Sequence, residues 1–152
     1  MHLVFYIGFM GSGKTTLGAR HAQEKNACFV DMDQVILDKT GISPRDILGL
    51  KGEKAFRKIE RDTLHGIVRN WYDSGKPATI VACGGGTPCF HDNLDFMKTH
   101  GHVVFIDTPL EIILKRLSGE PERWPLLQNA DATKLYNSRI EWYKKADERV
   151  VP

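Results

Sequence analysis

The sequence lacks the features that typify membrane proteins, nucleic-acid-binding proteins and disulfide-bonded proteins. No stretch reaches the roughly 18 apolar residues that suggest a membrane span. The formal net charge of +2 is too close to neutral to indicate a nucleic-acid or membrane-surface partner. Only three cysteines are present, and their spacings match no zinc pattern. We therefore expect a cytoplasmic monomer in a reducing setting, with neither nucleic acid nor membrane as a partner.

The arrangement of apolar segments predicts an α/β domain. The 152 residues, 41% of them hydrophobic and 26% charged, suit one domain with one core. Short apolar runs predict buried strands at 3–7, 29–31, 80–83 and 103–107, with a weaker fifth strand beginning near Arg149. Helical patterns start near Lys14, Pro44, Gly52, Pro109 and Asp131. Alternating strands and helices imply parallel pairing with right-handed crossovers.

Two helix starts and one long loop are also visible. Ser43 before Pro44, and Thr108 before Pro109, predict N-caps followed by proline at the first helical position. Residues 118–130 mix glycine, two prolines and charges between two helical patterns. Such a segment predicts a mobile loop, of the kind that often serves as a lid over a site.

A phosphate-binding loop is the most specific motif. Residues 8–15, Gly-Phe-Met-Gly-Ser-Gly-Lys-Thr, fit G-x-x-x-x-G-K-[ST] between a predicted strand and a predicted helix. Glycines let backbone N–H groups converge on phosphate oxygens, and the helix N-terminus adds its dipole. Lys14 is expected to reach the β- and γ-phosphates, and the Thr15 hydroxyl to bind Mg²⁺. The motif identifies the phosphate donor and leaves the acceptor open.

Acidic and basic residues beyond this loop are candidates for the acceptor side. Asp31 and Asp33 are placed at the end of the second strand, the edge where open parallel sheets bind ligands. They could serve magnesium and proton transfer, or could cap a helix. Arg57 and Glu60 are three residues apart on one predicted helix face. Taken alone, this pair favours an ordinary solvated ion pair.

Three consecutive glycines, Gly84, Gly85 and Gly86, follow the third predicted strand. They indicate either close approach by a ligand or another segment, or a flexible hinge. Cys83 precedes them with no histidine nearby in the sequence, so we interpret it as a small buried residue.

Together, these motifs resemble the shikimate kinase family in both order and spacing. The similar elements are the phosphate loop, the Asp31-Met-Asp33 pair, residues 56–60 (Phe-Arg-Lys-Ile-Glu), the apolar strand ending in three glycines, and Arg139 four residues before Tyr143. The resemblance implies a three-layer P-loop kinase with a five-stranded parallel sheet in the order 2-3-1-4-5. It also implies a single domain over 1–152, with a substrate region at about 33–61 and a lid at about 118–130.

The resemblance further implies a reaction and a role for each residue. The γ-phosphate of ATP would pass to the 3-hydroxyl of shikimate, in the pathway to chorismate and aromatic amino acids. ATP is expected on Gly11, Ser12, Gly13, Lys14, Thr15, Thr16, Arg116 and Arg123. Shikimate is expected on Asp33, Arg57, Glu60, Gly84, Gly85, Gly86 and Arg139. Mg²⁺ is expected at Thr15, with Asp31 acting through water. Lys14, Asp33 and Arg123 are the expected catalytic residues.

Two departures from the family pattern stand out. The lid reads Arg123-Trp124-Pro-Leu-Leu, with tryptophan between arginine and proline, and we expect Arg123 to remain functional. The sequence ends at Pro152, where the family continues with an adenine-contacting loop and a last helix. That end predicts either a truncated or a short member. Arg116 could stack on adenine or be a surface arginine at a helix end.

Two alternatives stay open. One is a related small-molecule kinase acting on gluconate or a nucleoside monophosphate. The other is a non-catalytic homologue that binds nucleotide or a partner protein.

Overall fold

The computed structural model describes residues 2–120 and 129–152. Its centre is a parallel five-stranded sheet in the order β2-β3-β1-β4-β5, which confirms the expected topology. The strands are β1 (Leu3–Ile7), β2 (Cys28–Asp31), β3 (Thr79–Ala82), β4 (His102–Ile106) and β5 (Glu148–Val150).

Seven α-helices and one short 3-10 helix connect these strands in the described residues. They are α1 (Lys14–Glu24), α2 (Met32–Thr40), α3 (Pro44–Lys51), α4 (Glu53–Asp73), the 3-10 helix (Thr87–Cys89), α5 (Asn93–His100), α6 (Leu110–Gly119) and α7 (Asn129–Tyr143). No helix of the described residues is long and apolar enough to span a membrane.

Side chains alternate between two cores along the central strand β1. Leu3, Phe5 and Ile7 are buried in the larger core, together with apolar residues from α4, α5, α6 and α7. Tyr6 belongs to a second core that includes Ala22 of α1. Burial on both faces is the usual state of a parallel sheet covered by helices on both sides. The result is the predicted three-layer arrangement.

The structure confirms the predicted end of the second strand and corrects the placement of Asp33. That strand ends at Asp31, and Asp33 lies in the first turn of α2 rather than on the strand. Asp31 caps this helix, since its Oδ1 accepts a 3.0 Å hydrogen bond from the backbone N–H of Asp33. Helices α2 and α5 and the 3-10 helix were not predicted, because α2 follows β2 without a break and α5 has no side-chain cap.

One predicted helix cap is confirmed and the other is wrong. The Ser43 hydroxyl accepts a 3.2 Å hydrogen bond from the Asp46 N–H, and Pro44 is the first residue of α3. Thr108, in contrast, caps nothing. Its buried hydroxyl instead donates a 2.6 Å hydrogen bond to the carbonyl of Ser12, which ties the end of β4 to the phosphate loop.

The helices on either side of the predicted loop at 118–130 extend into that range. Helix α6 continues through Gly119 and helix α7 begins at Asn129. Arg123 and Trp124 lie outside the described residues.

Candidate active site

The loop between β1 and α1 has the backbone geometry of a phosphate cradle. Gly11 and Gly13 have φ angles of 77° and 98°, in the left-handed region that favours glycine. The N–H of Ser12 donates a 3.1 Å hydrogen bond to the carbonyl of Phe9 and closes the turn. A Cβ on Gly8 would lie 2.7 Å from the carbonyl oxygen of Ile106, so the neighbouring strand leaves no room for a side chain there.

The N-terminus of α1 offers a positive end to an anion. Gly13 precedes the helix and supplies no side-chain cap, and the first turn contains no acidic residue. The first N–H groups of a helix have no partner within the helix. Together with the helix dipole, they attract phosphate oxygens.

Lys14 is buried within this cradle. Its Nζ donates hydrogen bonds of 2.8 Å to the Gly8 carbonyl and 2.9 Å to the Phe9 carbonyl. Burial lowers the pKa of the ammonium from 10.5 to about 8, although the nearby carboxylate of Asp33 acts in the opposite direction. A phosphate would give this desolvated cation an anionic partner.

Thr15 and Asp31 form an exposed pair of oxygen donors beside the cradle. The Thr15 hydroxyl donates to Asp31 Oδ2 across 3.3 Å. No cluster of three or more His, Cys, Asp or Glu side chains in the described residues could hold a metal ion by itself. Mg²⁺ that travels with nucleotide commonly takes only one or two protein oxygens, the rest being phosphate and water. The pair fits such a partial site.

The Arg57–Glu60 pair is buried, which corrects the expectation of a solvated ion pair. Only 7% of Arg57 and 2% of Glu60 is exposed. Arg57 Nη1 lies 2.9 Å from Glu60 Oε1, and the guanidinium carbon lies 4.0 Å from the centroid of the Phe90 ring. Its Nε also lies 3.5 Å from Glu53 Oε1. A buried arginine held by carboxylates of its own helix and by an aromatic face is positioned for an anionic ligand rather than for solvent.

The three glycines permit close approach by side chains of the site. A Cβ on Gly84 would lie 2.8 Å from Glu60 Oε2, and a Cβ on Gly86 would lie 2.7 Å from both terminal nitrogens of Arg57. None of the three glycines has a positive φ. Glycine is therefore needed here for space, which favours close approach over the hinge interpretation.

Arg139 reaches the same glycine loop from α7. It is buried, and its Nη1 has no hydrogen-bond partner within residues 2–120 and 129–152. A Cβ on Gly85 would lie 3.5 Å from that nitrogen and 3.2 Å from the backbone nitrogen of Met10 in the phosphate loop. Buried polar groups are normally paired, so an unpaired guanidinium nitrogen at this position indicates a site for an acceptor from outside the chain.

Arg116 lies beside the phosphate loop, at the last turn of α6. Its Nη1 donates a 2.9 Å hydrogen bond to the carbonyl of Gly11 and would lie 3.6 Å from a Cβ on Gly13. The arginine is thus placed on the predicted ATP side. Stacking on adenine stays a prediction, as does a contact from the exposed Thr16.

The structure brings the predicted donor and acceptor residues together. Asp33 lies near Gly84, where its Oδ1 would be 3.7 Å from a Cβ, and it is also the strongest charge partner of Lys14. Cys83 is buried as predicted, and burial raises the pKa of its thiol far above the usual range, which excludes a thiolate nucleophile.

Sequence reasoning missed three polar residues at this site: Thr87, Asn93 and Tyr143. Thr87 donates a 2.8 Å hydrogen bond to Glu60 Oε2, and Tyr143 donates one of 2.6 Å to the Gly85 carbonyl. Asn93 donates a 2.9 Å hydrogen bond to the Thr87 carbonyl. The position of Thr87 directly after the glycines was the available signal.

Comparison with known proteins agrees with this geometry. The sequence model of the family described as Shikimate kinase matches residues 10–152. The shikimate kinase of Sulfurihydrogenibium sp. (strain YO3AOP1) is 36% identical over 151 residues, which cover 99% of this chain and 87% of that relative.

Solved structures support the same family assignment. The shikimate kinase from Acinetobacter baumannii in complex with shikimate has a TM-score of 0.88 and 30% identity, covering 100% of this chain and 84% of that one. The shikimate kinase from Bacteroides thetaiotaomicron has a TM-score of 0.85 and 27% identity, covering 98% and 85% respectively. The chain therefore belongs to the shikimate kinase family.

Proposed function

We propose that this protein transfers the γ-phosphate of ATP to the 3-hydroxyl of shikimate, yielding ADP and shikimate 3-phosphate. The observation that carries the proposal is the buried Nη1 of Arg139, which has no hydrogen-bond partner among the described residues and lies beside the glycine loop. Arg57 borders the same loop. Two buried guanidinium groups next to a phosphate cradle suit a small acceptor that carries a carboxylate as well as hydroxyls.

On the donor side, the phosphate loop binds and orients the triphosphate. The N-terminus of α1 and the ammonium of Lys14 hold phosphate oxygens as negative charge shifts onto the leaving ADP. Because Lys14 is buried, its charge acts in a medium of low polarity and stabilises the transferring group strongly. Arg116 stabilises the loop from outside through the Gly11 carbonyl.

On the acceptor side, Arg57 and Arg139 bind the carboxylate and fix the ring, while Gly85 offers its backbone to a ring hydroxyl. Asp33 accepts the proton of the 3-hydroxyl as that oxygen bonds to the γ-phosphorus and the bond from this phosphorus to the leaving oxygen of ADP breaks. Its distance to the glycine loop and its charge interaction with Lys14 support this role. Most of the rate enhancement then comes from positioning and charge neutralisation.

Mg²⁺ is proposed at the Thr15 hydroxyl, with Asp31 as a second oxygen donor through water. When bound, the ion neutralises charge on the β- and γ-phosphates. The support is the 3.3 Å contact between the two side chains at the edge of the cradle.

Arg123 is proposed as the lid arginine that contacts the phosphates, despite the inserted Trp124. Arginines that stabilise a transferring phosphoryl group contribute about 10³–10⁵ in rate. Turnover should therefore fall steeply in Arg123→Ala and much less in Trp124→Ala. The reverse order would assign the position to Trp124 and contradict the proposal.

A reducing, cytoplasmic setting and a monomeric state are also proposed. The three cysteines all lie in the described residues and are free thiols, with Cys28 exposed and Cys83 buried. Light scattering of the purified protein at micromolar concentration should give the mass of one chain.

A coupled ADP-release assay across shikimate, gluconate and nucleoside monophosphates tests the proposal. We expect turnover with shikimate alone, since only this acceptor offers a carboxylate and ring hydroxyls in one rigid frame. Turnover only with another acceptor would contradict it. Calorimetry that detects ATP binding without shikimate binding or turnover would favour the non-catalytic alternative.

A further inference from the structure

Glu60 is held from two sides by groups that belong to different segments. Its Oε1 accepts the 2.9 Å hydrogen bond from Arg57 Nη1, within α4. Its Oε2 accepts a 2.8 Å hydrogen bond from the hydroxyl of Thr87, which follows the three glycines. Both Glu60 and Thr87 are almost fully buried, so no solvent molecule replaces either partner without rearrangement.

Thr87 itself has a fixed position. Its N–H donates a 3.1 Å hydrogen bond to the carbonyl of Gly84, and its own carbonyl accepts a 2.9 Å hydrogen bond from Asn93 Nδ2. Asn93 is fully buried at the start of α5. The Thr87 hydroxyl is therefore presented to Glu60 by a backbone that is anchored on both sides.

This arrangement controls how Glu60 engages the arginine. With Oε2 occupied by Thr87, the carboxylate binds Arg57 through one oxygen and one terminal nitrogen. Without the Thr87 hydroxyl, the buried Oε2 would need a new donor. The nearest cation is Arg57, and a carboxylate binds a guanidinium readily through two parallel hydrogen bonds. That second bond would consume a donor that the substrate carboxylate needs.

We infer that Thr87 is a positioning residue for substrate binding: its hydroxyl holds Glu60 in one-point contact and so keeps the outer face of the Arg57 guanidinium available to the substrate carboxylate. The inference rests on the proposed function and deepens it. The glycine loop then has two roles. Its glycines leave room for Arg57, and the residue that follows them, Thr87, carries the hydroxyl that orients Glu60.

Steady-state kinetics of Thr87→Val tests the inference, since valine keeps the shape and removes the hydroxyl. We expect the KM for shikimate to rise about tenfold or more, the cost of one lost buried hydrogen bond to a charged group. The kcat and the KM for ATP should change by less than about threefold. Thr87→Ser restores the hydroxyl and should bring the KM for shikimate back to within about threefold of the wild type.

Thr63→Val is the matched control. Thr63 is a buried threonine of the same helix as Glu60, and within the described part of the chain its hydroxyl donates only to the Ile59 carbonyl one turn earlier, at 2.7 Å. The control should lower the melting temperature as Thr87→Val does, without raising the KM for shikimate. An equal rise in the KM for shikimate in both variants would indicate that Thr87 has only a structural role and would overturn the inference.

A double-mutant cycle with Glu60→Gln tests whether Thr87 affects shikimate binding through Glu60 or independently of it. If Thr87 acts through Glu60, the double variant should bind shikimate no worse than Glu60→Gln alone, as measured by calorimetry. Additive losses would overturn the inference, as would a KM for shikimate in Thr87→Val within twofold of the wild type. If the wild-type protein does not turn over shikimate, the proposed function itself is overturned. If the wild type turns over shikimate and only the variants depart from these expectations, the inference about Thr87 alone is overturned.

Discussion

The phenol of Tyr143 donates a 2.6 Å hydrogen bond to the carbonyl of Gly85, 58 residues earlier in the chain. Tyr143 is fully buried, its ring stacks on Phe105 with 5.3 Å between centroids, and burial raises the pKa of its hydroxyl far above the usual range. The hydroxyl therefore stays protonated and donates at any physiological pH. The charge of Arg139 also acts on this hydroxyl, so Tyr143 lies between the glycine loop and the second arginine proposed to bind substrate.

Tyr143→Phe should therefore weaken substrate binding while the fold persists. Loss of one buried hydrogen bond costs about 1–3 kcal/mol, which corresponds to a rise of about 5- to 150-fold in the KM for shikimate. Tyr72→Phe is the control, because Tyr72 is partly exposed on α4 and its hydroxyl bonds only to His100 in the described residues. Equal KM values for the two variants would remove Tyr143 from the site.

ATP binding should weaken at alkaline pH because Lys14 loses its proton there. The pKa of its ammonium in the free protein is about 8, below the ordinary 10.5. Phosphate favours the charged form, so ATP binding must take up protons wherever the free protein has lost them, above about pH 8. Affinity should then fall by up to about tenfold per pH unit above pH 8. Calorimetry at pH 9 in two buffers of different ionisation enthalpy should detect this uptake.

The ammonium of Lys14 also makes the stability of the fold depend on pH. Below pH 8 Lys14 is protonated in both the folded and the unfolded chain, and the full penalty of burying its charge is present. Between about pH 8 and 10.5 the unfolded chain binds more protons, so this group's contribution to stability rises with pH. Lys14→Met should abolish both effects. Proton uptake of equal size in Lys14→Met would contradict the assignment.

Asp33→Asn should reduce turnover and leave ATP binding nearly unchanged. The amide cannot accept the proton of the acceptor hydroxyl, and general-base groups typically contribute about 10²–10⁴ in rate. Asp38→Asn is the control, since Asp38 lies on the same helix and bonds to the exposed Gln34 one turn away. The comparison uses kcat from the coupled assay and the ATP dissociation constant from calorimetry. Equal loss of both quantities in Asp33→Asn would contradict its role.

Asp31→Asn should separate magnesium binding from helix capping. Asparagine caps a helix about as well as aspartate, so the hydrogen bond to the Asp33 N–H is kept and the melting temperature should change little. The lost charge should raise the Mg²⁺ concentration for half-maximal activity by roughly tenfold. An unchanged magnesium requirement would limit Asp31 to its capping role.

Local patterns in the sequence predicted the strands, their parallel pairing and the donor side, whereas the sheet order came from the resemblance to the shikimate kinase family. The phosphate loop is continuous in the sequence, and the strands are short apolar runs bounded by clear breaks. Alternation of strand and helix then leaves few arrangements. Asp31 shows where this approach fails, since one residue ends a strand, caps a helix and borders the proposed magnesium site, whereas a linear pattern offers these roles only as alternatives.

Burial and long-range contacts could not be predicted in the same way. Arg57 and Glu60 form an ordinary ion pair in the sequence, and only tertiary packing makes them buried. Thr87 and Tyr143 form hydrogen bonds to residues 27 and 58 positions away, and no local pattern predicts either contact. Thr108 resembles a helix cap, but a carbonyl of the phosphate loop offers it a better buried partner.

Identification of the product by ³¹P and ¹H nuclear magnetic resonance tests the central claim most directly. With the whole chain, ATP, Mg²⁺ and shikimate, a new phosphomonoester resonance should grow as the γ-phosphate signal declines, coupled to the proton on carbon 3 of the ring. The same mixture with Arg139→Ala should give this product much more slowly at low shikimate concentration. Phosphate on another hydroxyl, or inorganic phosphate alone, would contradict the proposed orientation of the substrate between Arg57, Arg139 and Asp33.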